Sequence, residues 1–274
     1  MSANTIKRII SAVVMAAIVA ICIFYGKEST LGLILFAGII AVDELFVNLL
    51  KKLRFSFTYL ISQILFILPF VYFNFLDFTS GMHFAIVNVA LLLNILLLFY
   101  LFYIPMESKS IEEISNKLPY VSGIFFVLPM ISLTNILHYS EWRILLFILL
   151  VVNFGMDTGA WFFGKNFGSH KLWEKVSPNK TIEGLVGGMF TAGVLGYTTW
   201  TFLIAKPEIL LFFVFCLLGV LSQLGDLIQS KMKRQFKIKD SSSLIPGHGG
   251  VYDRIDSLLY SAPFFAVILK YFYK

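Results

Sequence analysis

The chain has 274 residues, of which 58% are hydrophobic and only 14% are charged. Because a soluble domain carries about 25% charged residues, this composition excludes a soluble enzyme, a coiled coil, collagen and a disordered chain. It predicts an all-α, polytopic integral membrane protein, since helices satisfy their own backbone hydrogen bonds inside a bilayer.

Nine apolar segments are long enough to cross a membrane, which takes roughly 20 mostly apolar residues. They are residues 9–26, 30–50, 55–76, 84–104, 118–137, 142–163, 184–205, 209–229 and 256–273. Lys7 and Arg8 before the first segment are also typical of a signal peptide. That segment is long and shows no clear cleavage site, so we predict about nine transmembrane helices.

The distribution of Lys and Arg predicts how these spans are oriented in the membrane. With the N-terminus in the cytoplasm, the inner segments hold 17 of the 22 Lys and Arg residues and the outer segments hold 5. Cytoplasmic loops are enriched in Lys and Arg, so the C-terminus is predicted outside. The same bias explains the net charge of +6 without a nucleic-acid partner.

The long polar loops 164–183 and 230–255 are predicted to be cytoplasmic. Both lie in the second half of the chain, and long loops on one face are suited to chemistry on a water-soluble substrate. We expect residues 1–140 to form about five N-terminal helices and residues 141–274 to form the catalytic region.

Asp226 is the most informative charge, because carboxylates in apolar helices are costly and usually face a polar cavity. One stripe of the predicted helix holds Ser222, Asp226, Ser230 and Lys233. Asp226 lies five residues before Lys231, at a depth of about 7–8 Å, where a hydrated metal or a phosphate reaches it. The alternative is a buried Asp226 paired with Lys233 or with a neighbouring helix.

The loop before the last span combines a flexible turn with charged residues. Pro246 and the glycines around His248 predict a tight turn whose N–H groups bind phosphate oxygens. Asp253 and Asp256 share a face of the next helix, and Arg254 points elsewhere and can contact phosphate. Carboxylates without Cys or clustered His favour Mg²⁺ over Zn²⁺. His248 is either a phosphate donor or a side chain that stabilises the loop.

The loop 164–183 ends in a second candidate anion site. Lys180 and Thr181 precede a predicted helix N-terminus, which favours anions. Gly184 and Gly188 have the spacing of closely packed helices, and we interpret them as packing residues.

Two carboxylates of the second span, Asp43 and Glu44, have no assigned role. They either line the same cavity or pair with a basic residue of another helix, and we favour pairing. Asp43, Asp157 and Asp226 would also suit a transport pathway, but the chain shows neither the inverted repeats nor the broken helices typical of transporters.

Residues 230–256 resemble the signature of the phosphatidate cytidylyltransferase family. Residues 157–160, 177–184 and 222–226 are also similar to segments of that family, so the motifs cover residues 153–257. The resemblance implies the reaction CTP + phosphatidate → CDP-diacylglycerol + pyrophosphate, which serves phospholipid biosynthesis. It also implies Mg²⁺, a second metal ion such as K⁺, and a homodimer.

The resemblance assigns expected roles to individual residues. Asp226 and Asp253 are the expected metal ligands and belong to the catalytic set. The other residues expected to be catalytic are Lys233, Arg234, His248, Arg254 and Asp256. Those expected to bind substrate are Ser222, Ser230, Lys239, Asp157, Lys180, Gly249 and Gly250.

The lipid acceptor has alternatives within the same class of enzyme. Related membrane enzymes use CTP on other lipids, such as an archaeal ether-lipid phosphate, or phosphorylate a polyprenol or phytol. The unbroken signature favours phosphatidate. The short N-terminus suggests a bacterial inner-membrane enzyme whose active site faces the cytoplasm.

Overall fold

The computed structural model describes residues 3–76 and 80–273, so Lys274 of the charge count lies outside the described residues. Ten helices and one small hairpin make up this part of the chain. The helices are α1 (Ala3–Tyr25), α2 (Lys27–Asp43), α3 (Phe57–Val71), α4 (Ser80–Tyr103), α5 (Ser110–Lys117), α6 (Val121–Asn135), α7 (Trp142–Phe167), α8 (Ile182–Ile204), α9 (Leu210–Gln235) and α10 (Tyr252–Phe272). The predicted all-α class is therefore confirmed.

Short irregular turns extend three of these helices. α2 continues as a π-helical segment, Glu44–Leu49, and α3 as another, Tyr72–Leu76. α6 ends in a 3₁₀ turn, Ile136–His138. π-Helical segments often occur at functional sites, and the first of them begins at Glu44.

A small hairpin lies in the predicted loop 164–183. Strands β1 (Lys171–Trp173) and β2 (Ser177–Thr181) are antiparallel, with Lys171 opposite Thr181 and Trp173 opposite Ser177. The hairpin leads directly into α8. Thr181 caps that helix, because its Oγ1 accepts a hydrogen bond from the Gly184 N–H at 3.1 Å.

Eight helices of the described residues are long and apolar enough to cross a membrane: α1, α2, α3, α4, α6, α7, α9 and α10. Large apolar side chains on them, such as Phe24, Leu96 and Phe213, are exposed, as lipid-facing positions require. α8 corresponds to the predicted span 184–205 but is not among these eight. The protein is thus a polytopic integral membrane protein.

The chain forms two compact units, and neither is one continuous stretch. The first unit comprises Met1–Ile86, Glu107–Thr134 and Lys233–Ile255. Its core includes the fully buried rings of Phe46, Phe66, Phe70 and Phe126. The division predicted at residue 140 concerns where the catalytic residues lie, and it stays a prediction.

The second unit comprises Val87–Met106, Asn135–Met232 and Asp256–Lys274. Within it α7 and α8 approach closely. A Cβ on Gly188 would lie 2.6 Å from the Met156 carbonyl oxygen, and one on Gly184 would lie 2.7 Å from that of Ala160. Only glycine permits this contact, so the interpretation of Gly184 and Gly188 as packing residues is confirmed.

Candidate active site

Asp253 is a buried, hydrogen-bonded carboxylate of the first unit. It lies in the first turn of α10, and its side chain is only 3% exposed. Its Oδ1 accepts a hydrogen bond from Lys233 Nζ at 2.7 Å, and its Oδ2 accepts two more, from the Ser241 N–H at 2.8 Å and the Gly250 N–H at 2.9 Å. Since a buried charge needs both a counter-ion and hydrogen bonds, this arrangement satisfies the carboxylate fully.

Glu44 holds the same loop from the opposite side. Its residue is 2% exposed. Oε1 accepts hydrogen bonds from Ser242 Oγ (2.7 Å) and the Val251 N–H (2.9 Å), and Oε2 accepts them from Ser241 Oγ (2.9 Å) and the Tyr252 N–H (2.9 Å). Glu44 thereby satisfies N–H groups at the start of α10, which have no partner inside the helix.

The predicted pairing with a basic residue is observed for Asp43 but not for Glu44. Asp43 accepts two hydrogen bonds from Arg54, at 2.9 and 2.6 Å, and one from Tyr59 Oη at 2.9 Å. Arg54 lies in the segment between α2 and α3 rather than on another helix. Glu44 instead bonds to hydroxyl and backbone groups, a role that the sequence analysis did not anticipate.

The glycines of the turn are required by close packing against these carboxylates. A Cβ on Gly250 would lie 2.1 Å from Ser241 Oγ and 2.4 Å from Glu44 Oε2. A Cβ on Gly249 would lie 2.5 Å from Asp253 Oδ2, and the φ angle of Gly249 is +83°. Both glycines therefore shape the loop, whatever part they take in substrate binding.

His248 stabilises the turn through helix α1. Its Nδ1 lies 2.7 Å from Ser11 Oγ, which also donates to the Pro246 carbonyl at 3.0 Å. Burial, and then the positive charge of Arg254, lowers the pKa of His248 below its ordinary 6.5, so the ring is neutral at pH 7. These contacts match the loop-stabilising alternative, and the phosphate-donor role stays a prediction.

A pocket of about 410 Å³ opens beside this loop in the first unit. Its lining includes Asp43, Glu44 and Asn48 from α2 and its π-helical extension, Arg54 from the segment that follows, and residues 240–244 from the loop. Asn48 Nδ2 donates to the Ser241 carbonyl at 2.7 Å. Lys239, the predicted substrate contact, is exposed and directly precedes the lining residues 240–244.

In the second unit, Asp226 pairs with Lys180, whose Nζ contacts Asp226 Oδ2. The two side chains are 30% and 21% exposed. Ser230 Oγ donates to Asp226 Oδ1 at 3.2 Å, one helical turn away on the predicted polar stripe. The structure thus joins three predicted site residues, and the partner of Asp226 is a lysine of the β2 strand rather than Lys233.

The hairpin that carries Lys180 is fixed at two further points of the second unit. His170 Nδ1 lies 2.6 Å from Glu183 Oε1. The His170 contact, followed by backbone hydrogen bonds, lowers the pKa of Glu183 to about 2. The Trp173 ring stacks on Phe102 with a centroid distance of 6.0 Å. These contacts keep Lys180 at the end of a structured segment.

Lys231 is buried in the second unit, and its role was not predicted. Its residue is only 1% exposed. Nζ donates to the carbonyl oxygens of Tyr100 (2.8 Å), Leu101 (2.7 Å) and Ile104. A cation at a helix C-terminus is favourable because the last carbonyls lack partners there. Lys231 therefore caps α4.

Ser222 lies in a buried polar network of the second unit. Its Oγ donates to Asn153 Oδ1 at 2.7 Å, and Ser261 Oγ donates to the same atom at 3.1 Å. Ser222 is 0% exposed. This network explains a polar residue inside an apolar helix without a substrate, and the substrate-binding role of Ser222 stays a prediction.

The remaining predicted residues lie at the surface or are half-buried. Asp157 and Arg254 are exposed, and Arg234 and Asp256 are half-buried. Arg234 Nη1 donates to the Ile238 carbonyl at 3.3 Å, and Asp256 Oδ1 accepts the Ser257 N–H at 2.8 Å. Arg254 is therefore accessible to an anion, as its predicted role requires.

The expected metal ligands were compared with what Mg²⁺ needs. Over residues 3–76 and 80–273, no three His, Cys, Asp or Glu side chains gather into a metal-binding group. Mg²⁺ commonly binds one or two carboxylates and keeps water and substrate phosphates as its other ligands. Asp226 and Asp253 each offer carboxylate oxygens of the kind that Mg²⁺ binds, and each already attracts one cation, a lysine ammonium.

Comparison with known proteins identifies relatives over nearly the whole chain. Residues 6–272 match the model of the cytidylyltransferase family. A phosphatidate cytidylyltransferase of Bacillus subtilis is 36% identical in an alignment of 282 positions. The alignment covers 97% of this chain and 98% of that protein. One of Haemophilus influenzae is 33% identical over 292 residues, with the same coverage. One of Staphylococcus haemolyticus is 40% identical over 148 residues, covering 54% of this chain and 55% of that protein.

Proposed function

The chain belongs to the cytidylyltransferase family, and we propose that it transfers CMP from CTP to phosphatidate, giving CDP-diacylglycerol and pyrophosphate for phospholipid biosynthesis. The observation that carries this proposal is the match, over 97% of the chain, to two bacterial proteins called phosphatidate cytidylyltransferase. Family membership also favours group transfer over the transport pathway considered for Asp43, Asp157 and Asp226.

In this reaction a phosphate oxygen of phosphatidate forms a bond to the α-phosphorus of CTP. The bond from that phosphorus to the bridging oxygen breaks, and pyrophosphate leaves with the electron pair. The attacking oxygen is already largely ionised at pH 7, since the second pKa of a phosphate monoester is about 6. The chain therefore needs no strong general base, and positioning and electrostatics carry the catalysis.

Both reactants are polyanions, so the first task of the protein is to reduce their repulsion. Arg254 and Lys239 are exposed and basic, which suits them to bind phosphate oxygens. Lys180 and Lys233 are each bonded to a carboxylate. In the proposal, each carboxylate keeps its lysine oriented until an anion binds beside it.

Asp226 and Asp253 are the proposed ligands of Mg²⁺, and a second metal ion such as K⁺ is part of the same proposal. When bound, a metal ion stabilises negative charge on the attacking and leaving oxygens. This proposal is supported by the carboxylate oxygens of the two residues, which are the kind of ligand that Mg²⁺ binds. Ser230 would orient Asp226 through its 3.2 Å hydrogen bond.

The cellular setting belongs to the proposal as well. The distribution of Lys and Arg supports a cytoplasmic N-terminus and an active site that faces the cytoplasm. The bacterial relatives support a bacterial inner membrane. The homodimer rests on the family resemblance.

The proposal is tested by assaying the purified full-length protein in detergent with CTP, phosphatidate and Mg²⁺. We expect CDP-diacylglycerol and pyrophosphate in equal amounts. Asp226→Asn should abolish both products, while Glu208→Gln, which removes a carboxylate from the segment between α8 and α9, should leave both unchanged.

Two results would overturn the assignments. CTP binding without product from phosphatidate would show that the acceptor is another lipid, and ether-lipid phosphates and polyprenols would then be assayed. Near-normal activity of Asp226→Asn would remove Asp226 from the metal site.

A further inference from the structure

Glu44 is a buried carboxylate to which the proposed reaction assigns no role. It stands at the junction of α2 and its π-helical extension. Its carboxylate accepts four hydrogen bonds from residues 241–252, about 200 positions later in the chain. Burying a carboxylate is costly unless the site provides hydrogen bonds. For Glu44, residues 241–252 provide them.

The contacts of Glu44 and Asp253 form one continuous network. Ser241 gives its hydroxyl to Glu44 at 2.9 Å and its N–H to Asp253 at 2.8 Å. At the start of α10, the Gly250 N–H donates to Asp253, and the next two N–H groups donate to Glu44. Ser241 thus bonds to both carboxylates, and the consecutive N–H groups of residues 250–252 donate to one or the other.

We propose that Glu44 is a positioning residue for the reaction: it anchors the α9–α10 loop and the first turn of α10, and thereby fixes the Asp253 carboxylate and its Lys233 partner. This inference rests on the proposed function, and it extends the catalytic machinery to the second helix of the chain. The packing supports it, because a side chain at Gly250 would collide with both Ser241 and Glu44.

The negative charge of Glu44 is essential to this role, because each of its oxygens accepts two hydrogen bonds. In Glu44→Gln one of these oxygens becomes an NH₂ group, which faces two donors and accepts from neither. The bond from a backbone N–H, of Val251 or Tyr252, is lost, and the serine hydroxyl at that position must turn to accept from the NH₂ group, while the size of the side chain is retained. The variant therefore loosens the loop without leaving a cavity.

Asp43→Asn is the matched control. Asp43 is the preceding residue, it carries the same charge, and it also lies beside the pocket. Its carboxylate, however, accepts hydrogen bonds from Arg54 and Tyr59 rather than from the loop. A general effect of charge loss on α2 would appear in both variants, whereas an effect on the loop would appear in Glu44→Gln alone.

The experiment measures kcat, the KM for CTP and the Mg²⁺ concentration for half-maximal rate, each per amount of folded protein. Hydrogen exchange of the backbone amides of residues 241–252 is followed in the same samples. For Glu44→Gln we expect kcat to fall, or the Mg²⁺ requirement to rise, by about 10- to 100-fold, the range typical of residues that orient metal ligands. Amide exchange at Val251 and Tyr252 should accelerate. Asp43→Asn should match the wild type in these quantities.

Unchanged kinetics per folded protein in Glu44→Gln would overturn the proposal, even if exchange accelerated, because Glu44 would then only stabilise the fold. Unchanged exchange at Val251 and Tyr252 would also overturn it. If the wild-type protein makes no CDP-lipid, the proposed function fails on its own, and the exchange data still decide whether Glu44 anchors the loop.

Discussion

The two carboxylates proposed to bind metal lie in unlike surroundings. Asp253, in the first unit, is 3% exposed and accepts hydrogen bonds from Lys233 and two backbone N–H groups. Asp226, in the second unit, is 30% exposed and bonds to Lys180 and Ser230. We therefore expect the two aspartates to contribute differently to stability, since a buried pair loses far more than an exposed one when one partner is removed.

The largest expected effect is the loss of stability when an aspartate is replaced, and it should differ between the two sites. Asp253→Asn should destabilise the protein by about 3 kcal/mol, because it leaves the Lys233 charge buried without its counter-ion. Asp226→Asn should cost less than about 1 kcal/mol, because water screens its partly exposed pair with Lys180. Denaturant unfolding in detergent measures both. Equal costs would remove the contrast between the two sites, whatever happens to activity.

Replacing the lysine partner of each aspartate tests the same difference in stability, and the expected changes are smaller. Lys233→Ala should destabilise the protein by about 2 kcal/mol, less than the loss of Asp253, since that carboxylate keeps two N–H donors. It should also raise the KM for CTP. Lys180→Ala should change stability by less than about 1 kcal/mol. If Lys233→Ala alters neither stability nor kinetics, Lys233 only extends towards the membrane surface.

The smallest effect concerns the pair of His170 and Glu183 in the hairpin region. The pKa of Glu183 is about 2 in the folded protein and ordinarily 4.5. Because the folded value is the lower one, the pair stabilises the protein fully above pH 4.5, and this contribution is lost as the pH falls towards 2. Unfolding midpoints of the wild type and Glu183→Gln should therefore converge between these values. A constant difference would show that the pair does not stabilise the fold.

Much of the fold was predictable because the bilayer imposes strong rules on sequence. Each of the nine predicted spans overlaps one helix of the described residues, and eight of those helices are long and apolar enough to cross a membrane. The spacing of Gly184 and Gly188 indicated a close helix contact, and the structure identifies the partner helix as α7. The hairpin 171–181 was interpreted as loop, because its short strands contain too few alternating residues to reveal a strand.

The motif residues were predictable from sequence, but their partners were not. Helical spacing joined Asp226 to Ser230 in advance. The contacts of Asp226 with Lys180, of Lys231 with the end of α4, and of Glu44 with residues 241–252 connect positions 46 to about 200 residues apart. Local pattern does not reveal such contacts, because they depend on how the helices pack.

The amino-acid pattern alone established an all-α membrane protein, a polar stripe on α9 and a charged, glycine-rich loop before α10, since these features follow from composition and local spacing. Tertiary structure decided which charges are buried, which lysine neutralises which aspartate, and that Glu44 holds the loop. The physical reason is that desolvation and hydrogen bonding act on the folded environment of a side chain, so the same residue type is costly, neutral or stabilising according to the donors that surround it.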